Sequence, residues 1–478
     1  MIGSHGDLVA HANISGAVIE GYAFSASEPL TPRPVTILID NHPFATLLAA
    51  DIVNIVEFTR HPLYEAINRG RGPVTDLAVG FRYVMGPYLP RDRTLNVRVK
   101  AGDVEILNQS IHLGISSEAA LSARRAGALL GKLGVTGVEK GVAIAAGVVA
   151  LPDEAVPICI TADGEQIQAT ATRIETPAGR CTASRWWHMR AELRQKGPLW
   201  VAPQSSSTSV PPCPAAGVFL PADWQSQYAR WKFPEDHQVV RVAATNSGAP
   251  YYFGGGQTRR LVGMLAEKHG DGYSKRILDW GCGCGRVAQH LLEDESLSVT
   301  GIDIDPENVE WCRRNLTRGK FSTVGLFPPT EFKNESFDLA FAISVLTHLT
   351  EDAMDKWLEE MQRLIRPDGL LLVTIHSVHS LLEVAGGVKH YEALTTKGID
   401  DTVIGGALVD VLSADDMSYY RETFHSHDYV LERFSRWFDV VAIYEGLHFN
   451  YQDYVVMRRR ATAPRPLVVS AEEAFREK

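Results

Sequence analysis

The sequence predicts a multidomain protein in which two N-terminal β-sandwich modules precede a C-terminal α/β domain with a mostly parallel sheet. Three observations lead to this prediction. Short apolar segments separated by turn residues fill the first 200 residues, as in a β-sandwich. A glycine-rich loop joins an apolar run to an amphipathic segment at 277–292. Apolar runs and helical patterns then alternate as far as residue 460, which indicates a parallel sheet covered by helices.

Composition limits the classes to which this chain can belong. Its 478 residues, 45% of them hydrophobic, suffice for two to four globular domains. The formal net charge of −10 argues against a nucleic-acid partner. The N-terminus lacks a signal-peptide pattern, and no apolar run reaches the roughly 18 residues of a membrane span. The six cysteines have no zinc-type spacing, so we predict no bound metal. The cysteine usage and the missing signal-peptide pattern together predict a cytoplasmic protein.

Strand-like segments place the first module, predicted to be immunoglobulin-like, at residues 13–116. These segments end at turn residues, as at Asp40 and Asn41, and an alternating segment follows at 95–100. The residues before 13 lack this pattern and are predicted to form a loose tail. Residues 117–133 are rich in Ala and Leu, which predicts a helix that links this module to the next.

Residues 134–200 are interpreted as a degenerate second copy of the module. Gly137 follows Gly16 by 121 residues, and Asp163 follows Asp40 by 123 residues. A near-constant offset over two matched segments favours a tandem repeat, although glycine-rich strands also resemble one another by chance. The predicted segments that follow are a Ser- and Pro-rich linker at 201–218, the α/β domain at 219–460 and a tail at 461–478.

The α/β domain is organised around the loop from Asp279 to Arg286. Gly281, Gly283 and Gly285 occupy every second position between an apolar run and an amphipathic segment. Glycine permits backbone conformations and a close ligand approach that side chains prevent. The N-terminus of the following helix offers unpaired N–H groups to a ligand. Because ligands bind at the carboxyl ends of parallel strands, the loop predicts a nucleotide-type site.

A second acidic residue, Asp303, follows Asp279 by 24 residues at the end of the next apolar run. Its carboxylate can accept hydrogen bonds from two ribose hydroxyls. The loop and Asp303 together resemble motifs I and II of the class I S-adenosylmethionine (SAM) methyltransferases more than a dinucleotide site. The resemblance implies a Rossmann-like domain with SAM as its cofactor, the loop at the methionine end and Asp303 at the ribose. It implies cofactor contacts from Asp279, Gly281, Cys282, Gly283, Gly285, Arg286, Asp303, Ile304, Leu326, Phe327 and Ser344, with Leu326 and Phe327 near the adenine.

Later motifs resemble a methyltransferase subgroup that occurs beside glycosyltransferases. They are Phe-Pro-Pro at 327–329, Ser-Phe-Asp at 336–338, Ser-Val-Leu-Thr-His-Leu at 344–349, a His after the next strand, Phe-His-Ser-His-Asp-Tyr at 424–429 and Gln-Asp-Tyr at 452–454. The segments Gly-Tyr-Ala at 21–23, Pro34 to Asp40, and Gly-Phe at 80–81 resemble a sandwich module of bacterial polysaccharide-synthesis proteins. These resemblances imply a glycan or glycoconjugate acceptor, a glycosyltransferase partner, and substrate contacts from His348, His427 and Gln452.

Transfer of a methyl group to a neutral hydroxyl benefits from a general base, most often His. We predict His425 as that base, with His376 as the second candidate and Asp453 as a residue that orients a His or binds a sugar hydroxyl. Each His is also consistent with a hydrogen-bonded structural role. These His and Asp453 could instead form a metal site, but tight ligand spacing is absent.

The sequence therefore predicts SAM-dependent O-methylation of a sugar hydroxyl on a bacterial surface or secreted glycan. Two alternatives stay open. One is an N-methyltransferase or small-metabolite methyltransferase, since an amine acceptor needs less help from a base. The other is a glycan-binding or scaffold protein whose methyltransferase fold is secondary. The sandwich modules could bind glycan, dock onto a glycosyltransferase or mediate homo-oligomerisation.

Overall fold

The computed structural model describes residues 3–460 except 6, 16–17, 26, 29–30, 32, 50, 53–77, 85–93, 113–116, 154, 176–184, 196, 208–211, 244, 246, 271–274, 385–386 and 405–420. The predicted tail at 461–478 lies outside the described residues. The chain forms two compact units, Met1–Ala120 and Leu121–Lys478. Within the described ranges, no helix combines the length and apolar character needed to cross a membrane.

Two antiparallel sheets of the first unit contribute to one core. Their strands are β1 (Gly3–His5), β2 (Leu8–Ser15), β3 (Val18–Ser25), β4 (Arg33–Ile39), β5 (His42–Ala49), β6 (Asp51–Ile52), β7 (Ala78–Val84), β8 (Thr94–Ala101) and β9 (Val104–His112). The strand orders are β1-β2-β3-β7-β6 and β5-β4-β8-β9. Alternate residues of β4 and β8, among them Ile37 and Val97, are buried in this core with Ile19 of the other sheet. The predicted loose tail is wrong, because β1 and β2 pair with each other before residue 13.

The second module has the same strand order as the first. Its elements are α1 (Ser117–Gly127), β10 (Leu130–Glu139), β11 (Val142–Leu151), β12 (Pro157–Thr161), β13 (Gln166–Ile167), β14 (Ala169–Ile174), β15 (Arg185–Leu193), β16 (Leu199–Ser205) and β17 (Val218–Leu220). The sheet orders β10-β11-β15-β14 and β13-β12-β16-β17 match β2-β3-β7-β6 and β5-β4-β8-β9 one to one. The first sheet differs only by the additional strand β1. The tandem repeat stays a prediction.

Two predicted boundaries differ from the structure. The linking helix ends at Gly127, and the predicted linker at 201–218 carries most of β16 and the start of β17. Apolar Val201 and Val218 are buried in the core of the module, so this Pro-rich segment completes a sheet instead of connecting domains. A short 3-10 helix (Pro214–Ala216) lies between the two strands.

The α/β domain has a seven-stranded sheet. Its elements are α2 (Trp224–Ala229), α3 (Asp236–Ala243), α4 (Gly248–His269), β18 (Arg276–Trp280), α5 (Ala288–Leu291), β19 (Ser298–Asp303), α6 (Pro306–Asn315), β20 (Lys320–Thr323), β21 (Phe337–Ala342), a 3-10 helix (Leu346–His348), α7 (Glu351–Leu364), β22 (Ile365–Ile375), α8 (Val378–Leu381), α9 (Gly387–Thr396), β23 (Ile399–Ile404), β24 (Arg421–His425), α10 (His427–Phe434), β25 (Phe438–His448) and β26 (Gln452–Arg459). The strand order is β20-β19-β18-β21-β22-β26-β25.

The strand order positions the site. Strands β18 to β22 of the sheet are parallel, and β26 runs antiparallel to both of its neighbours. The chain order reverses at β18, which lies between β19 and β21. A crevice therefore opens at the carboxyl end of β18, directly before the glycine loop.

The second module and the α/β domain share one hydrophobic core. Tyr252 and Phe253 of α4 are buried together with Leu133 and Val135 of β10. Trp186 of β15 is also almost fully buried in the module. Because α4 covers β10, the second module is held against the helix that precedes the glycine loop.

Candidate functional site

The glycine loop requires its three alternating glycines. Gly281, Gly283 and Gly285 have φ angles of 76°, 50° and 77°, a region that strongly favours glycine. A Cβ atom added at Gly281 would lie 2.3 Å from Cγ2 of Val345, and one at Gly285 would lie 2.5 Å from Cδ1 of Leu316. The sequence pattern therefore reflects both the backbone conformation and the close packing of the loop.

Asp303 connects the loop to the second strand of the site. Its Oδ2 accepts the Gly283 N–H at 2.7 Å, and its Oδ1 accepts the Asp305 N–H at 2.9 Å. Burial raises the pKa of this carboxyl above its usual range. Ile304, the next residue, is 41% exposed, which is unusual for an isoleucine. A half-buried carboxylate beside an exposed apolar side chain suits a ribose with an adjoining base.

Asp279 is a buried acid that lacks part of its hydrogen bonding. Its side chain is buried at the end of β18, and Oδ2 has no hydrogen-bond partner among the described residues. Burial, and then repulsion by Asp303, raise its pKa to about 8, while Arg286 acts in the opposite direction. A buried carboxylate without a partner is costly. A cationic ligand group at Oδ2 would remove that cost.

These residues line a cavity of about 1100 Å³. A typical small-molecule site measures about 300–1,000 Å³, so the cavity has room for a nucleotide-sized cofactor and a second molecule. Its wall includes the glycine loop, the ends of β19, β21 and β22, the β25–β26 turn and part of β10. The predicted site residues on this wall are Asp279, Gly281, Cys282, Gly283, Arg286, Asp303, Ile304, Leu326, Ser344, His348, His376 and Gln452.

Comparison with known proteins agrees with this geometry. Residues 277–369 match a family model described as Methyltransferase domain. The chain is 31% identical over 121 residues to 27-O-demethylrifamycin SV methyltransferase of Amycolatopsis mediterranei, covering 24% of this chain and 42% of that protein. It is 27% identical over 135 residues to norajmaline N-methyltransferase of Rauvolfia serpentina, covering 27% of this chain and 45% of that protein. The chain thus spans less than half the length of these two curated relatives.

Solved structures give weaker similarity. A TehB-like SAM-dependent methyltransferase from Corynebacterium glutamicum is 18% identical, with a TM-score of 0.28, and the match covers 43% of this chain and 88% of that one. The matched family and the loop geometry coincide on residues 277–369. This region is a SAM-dependent methyltransferase domain.

The cofactor of the methyltransferase domain is SAM, and the observed residues fit it. The unpartnered Oδ2 of Asp279 suits the ammonium group of the methionine moiety, and the two oxygens of Asp303 keep lone pairs for the ribose hydroxyls. The exposed side chain of Ile304 and the cavity-lining Leu326 provide apolar surface near that carboxylate.

Two residues predicted to contact SAM do not lie on the cavity wall. Phe327 is 45% exposed, and its ring lies under the Lys356 ammonium, with 4.6 Å between Nζ and the ring centroid. Its neighbour Leu326, which was also predicted near the adenine, does lie on the wall. Gly285 acts through packing instead, because its missing side chain makes room for Leu316. Both differences arise because adjacent residues on a turn face different directions.

A hydrogen-bonded series ends at His376 on the cavity wall of the methyltransferase domain. Gln452 Nε2 lies 3.1 Å from His376 Nε2, and Ser344 Oγ donates to Gln452 Oε1 at 3.0 Å. Burial, followed by the neighbouring His348, His425 and His390, lowers the pKa of His376 to about 3, so the ring is neutral near pH 7. Its Nδ1 has no hydrogen-bond partner in the described part of the chain.

His425, the first candidate for the base, lies elsewhere. It is fully buried and does not belong to the cavity wall. Its ring packs against Tyr429 and Phe434, and its backbone N–H donates to the His376 carbonyl at 2.7 Å. The sequence could not show this, because His425 is the last residue of β24, whose side chains alternate between two faces. The structure gives His425 a supporting position behind His376.

The two remaining predicted residues, His427 and Asp453, contact each other away from the cavity wall. His427 and Asp453 form an ion pair at 2.6 Å that raises the pKa of His427, and Asp453 also accepts the Gly446 N–H at 2.8 Å. Neither side chain lines the cavity. Asp453 therefore orients a His, as one of its predicted roles required, but that His is not at the site. Across the residues that the structure describes, no group of three or more His, Cys, Asp or Glu side chains could hold a metal ion.

His348 is held in place at the cavity wall. Its Nδ1–H donates to the Arg421 carbonyl at 3.0 Å, and burial lowers its pKa. The ring therefore presents its other edge to its surroundings in a fixed orientation. His348 therefore lies where the predicted substrate contact requires, and that contact stays a prediction.

The structure adds wall residues that the sequence did not indicate. They come from β10, from the β25–β26 turn and from β24: Lys132, Gly134, His448, Phe449 and Glu422. No local motif marks them, since β10 precedes the glycine loop by more than 100 residues in the chain. Only the shared core of β10 and α4 brings these segments together.

Proposed function

We propose that the protein transfers the methyl group of SAM to a hydroxyl group of a sugar in a glycan or glycoconjugate, with His376 as general base. The observation that supports this proposal best is a neutral, buried imidazole on the wall of the SAM cavity, oriented by Gln452 and Ser344. The bound cofactor supplies a methyl group on a positively charged sulfur, which transfers by in-line displacement. The protein must align the acceptor, exclude water and accept the hydroxyl proton.

The orientation of the Gln452 amide determines which nitrogen of His376 can accept a proton. When its Nε2 donates to His376 Nε2, the ring proton lies on Nδ1. When the amide is rotated by 180°, its Oε1 accepts the His376 Nε2–H, and Nδ1 becomes an acceptor. Ser344 Oγ suits both orientations, because a hydroxyl donates and accepts. In the second arrangement, the unpartnered Nδ1 is the base.

The neutral state of His376 favours a hydroxyl acceptor over an amine. The names of the relatives include both an O- and an N-methyltransferase, so similarity alone does not choose between these acceptors. A neutral amine can react without a base, whereas a hydroxyl must lose a proton. A buried imidazole whose Nδ1 accepts a proton can take up the proton of the hydroxyl, so we favour the hydroxyl acceptor. The sugar and a glycosyltransferase partner are proposed from the sequence resemblances, and the cytoplasmic location from the cysteine usage and the N-terminal sequence.

The test uses SAM with a deuterated methyl group. We expect the protein to transfer label to glycans from cells that lack it, and mass spectrometry should find the label on sugar oxygen. His376→Asn should reduce the rate by about 10²–10⁴-fold, the usual contribution of a general base, while binding of S-adenosylhomocysteine stays within about twofold.

Two results would contradict the proposal. Label found only on small metabolites would overturn the glycan acceptor. An unchanged rate in His376→Asn, with cofactor binding intact, would overturn the base assignment. His425→Leu is the matched control, since His425 is also buried and neutral but lies off the cavity wall.

A further inference from the structure

The second β-sandwich module supplies part of the cavity wall. Lys132, Gly134 and their neighbours on β10 line the same cavity as Asp279 and Asp303. The side chains of β10 alternate, and Leu133 and Val135, which also border the cavity, are buried in the shared core. Lys132 and Gly134 consequently lie on the opposite face of the strand. A segment outside the methyltransferase domain therefore faces the ligand.

The β25–β26 turn fixes β10 at this position. The Asn450 side-chain amide donates to the carbonyls of Leu129 and Gly131 at 3.0 and 2.9 Å. Glu383 accepts the Gly131 N–H at 2.7 Å from the other side. Asn450 is buried, so these hydrogen bonds are shielded from water. The turn and the start of β10 behave as one rigid piece of the wall.

Four residues of this piece form a distinct subsite, which we define as Lys132, Gly134, His448 and Phe449. The Lys132 ammonium lies 4.9 Å from the centroid of the Phe449 ring, which contacts the His448 ring with centroids 4.3 Å apart. His448 is buried, and its Nδ1 has no hydrogen-bond partner among the described residues. A Cβ atom added at Gly134 would meet nothing within 4 Å, so open space adjoins the lysine.

The charges around the cavity separate this subsite from the cofactor loops. Asp279 and Asp303 lie at the ends of β18 and β19, where the cofactor binds. Asp305 and Glu307 are paired with Arg241. Glu422, on β24, is half-buried, and burial raises the pKa of its carboxyl. The β10 part of the wall contributes a lysine and no carboxylate.

We propose that the subsite binds an anionic group of the acceptor, a carboxylate or a phosphate, so that the methylated glycan is an acidic saccharide. This inference rests on the proposed function and adds the class of sugar to it. Lys132 supplies the charge, and the Phe449 ring holds its ammonium group in place and adds apolar surface for the sugar. The unpartnered Nδ1 of His448 supplies a hydrogen bond to the acceptor. The open space beside Gly134 admits the sugar ring.

The test measures saccharide binding to protein saturated with S-adenosylhomocysteine. The probes are methyl glucuronide, glucose 6-phosphate and neutral methyl glucoside. We expect at least one anionic probe to bind about tenfold more tightly than the neutral one, as a charge-assisted hydrogen bond allows. Lys132→Gln should abolish this preference and Lys132→Arg should retain it. Lys320→Gln removes an exposed lysine that does not line the cavity and should have no effect.

A second variant tests the geometry of the subsite. Gly134→Val fills the open space and should weaken binding of charged and neutral probes alike, with S-adenosylhomocysteine affinity unchanged. The backbone of Gly134 does not have a positive φ, so β10 can accept valine.

The outcomes separate this inference from the proposed function. Wild-type protein without any anionic preference, or with no binding of any probe, overturns the inference, as does a preference that survives in Lys132→Gln. Label transfer to neutral sugars only would leave the proposed function standing and remove the acidic saccharide. Anionic binding that depends on Lys132, without label transfer to any glycan, would instead overturn the proposed function.

Discussion

His425 offers a quantitative test of how a buried, neutral histidine makes the stability of the fold depend on pH. It is fully buried, neither ring nitrogen has a hydrogen-bond partner among the described residues, and burial lowers its pKa to about 3. The unfolded chain, with a His pKa of about 6.5, binds more protons than the folded chain between these two values. The stability contributed by the neutral ring is therefore present above about pH 6.5 and is lost progressively as the pH falls toward 3.

The size of the effect follows from the same two pKa values. At pH 5.5, protonation of this one residue in the unfolded state lowers the free energy of unfolding by about 1.4 kcal/mol. At pH 7.5 the reduction is less than about 0.1 kcal/mol. His425→Leu removes the titrating group and two unsatisfied polar atoms, so its melting temperature should equal or exceed that of the wild type at pH 7.5. At pH 5.5 the advantage should be larger by about 3–6 °C for a domain of this size.

Differential scanning fluorimetry at the two pH values, with S-adenosylhomocysteine absent, measures this difference. If the melting temperatures of the wild type and His425→Leu fell equally between pH 7.5 and pH 5.5, the reasoning would be refuted. Such a result would mean that His425 has the same pKa in the folded and unfolded chains.

Two further predictions concern the cofactor loop and the β25–β26 turn. Asp279, with a pKa of about 8, must be ionised to pair with the ammonium group of the cofactor, so affinity for S-adenosylhomocysteine should fall up to about tenfold per pH unit below 8. Calorimetry should find Asp279→Asn weaker and nearly independent of pH, and an equally steep profile in this variant would contradict the assignment. Asn450→Ala leaves two backbone carbonyls without their donor, which should cost about 2–4 kcal/mol and lower the melting temperature by roughly 4–16 °C. An unchanged melting temperature would show that the turn does not fix β10.

The sequence predicts best those features whose physical causes are local. The glycines of the loop are needed because their own φ angles are positive, and Asp303 lies where the next parallel strand ends. Such features need no knowledge of distant contacts, so residue spacing alone indicates them.

Features that depend on side-chain direction or on distant segments were not predictable. His376 directly follows β22 and His425 ends β24, and both have a pKa lowered to about 3, yet only His376 lines the cavity. A backbone hydrogen bond joins the two residues, and their sequence positions do not show which side chain faces the cavity. Leu326 and Phe327 were both predicted near the adenine, and only Leu326 lies on the wall, because adjacent side chains face different directions.

The two N-terminal modules show how one strand order can serve different purposes. In the first module, the described strands form a core from their own side chains. In the second, the core includes Trp224, Tyr252 and Phe253, which belong to the segment predicted to start the next domain. A boundary at residue 219 therefore cuts through a shared core, although composition favours it. Because β10 must lie against α4 to bury these aromatic rings, Lys132 and Gly134 on its other face are carried to the cofactor cavity. The burial that stabilises the second module thus also places the residues that we expect to select the acceptor.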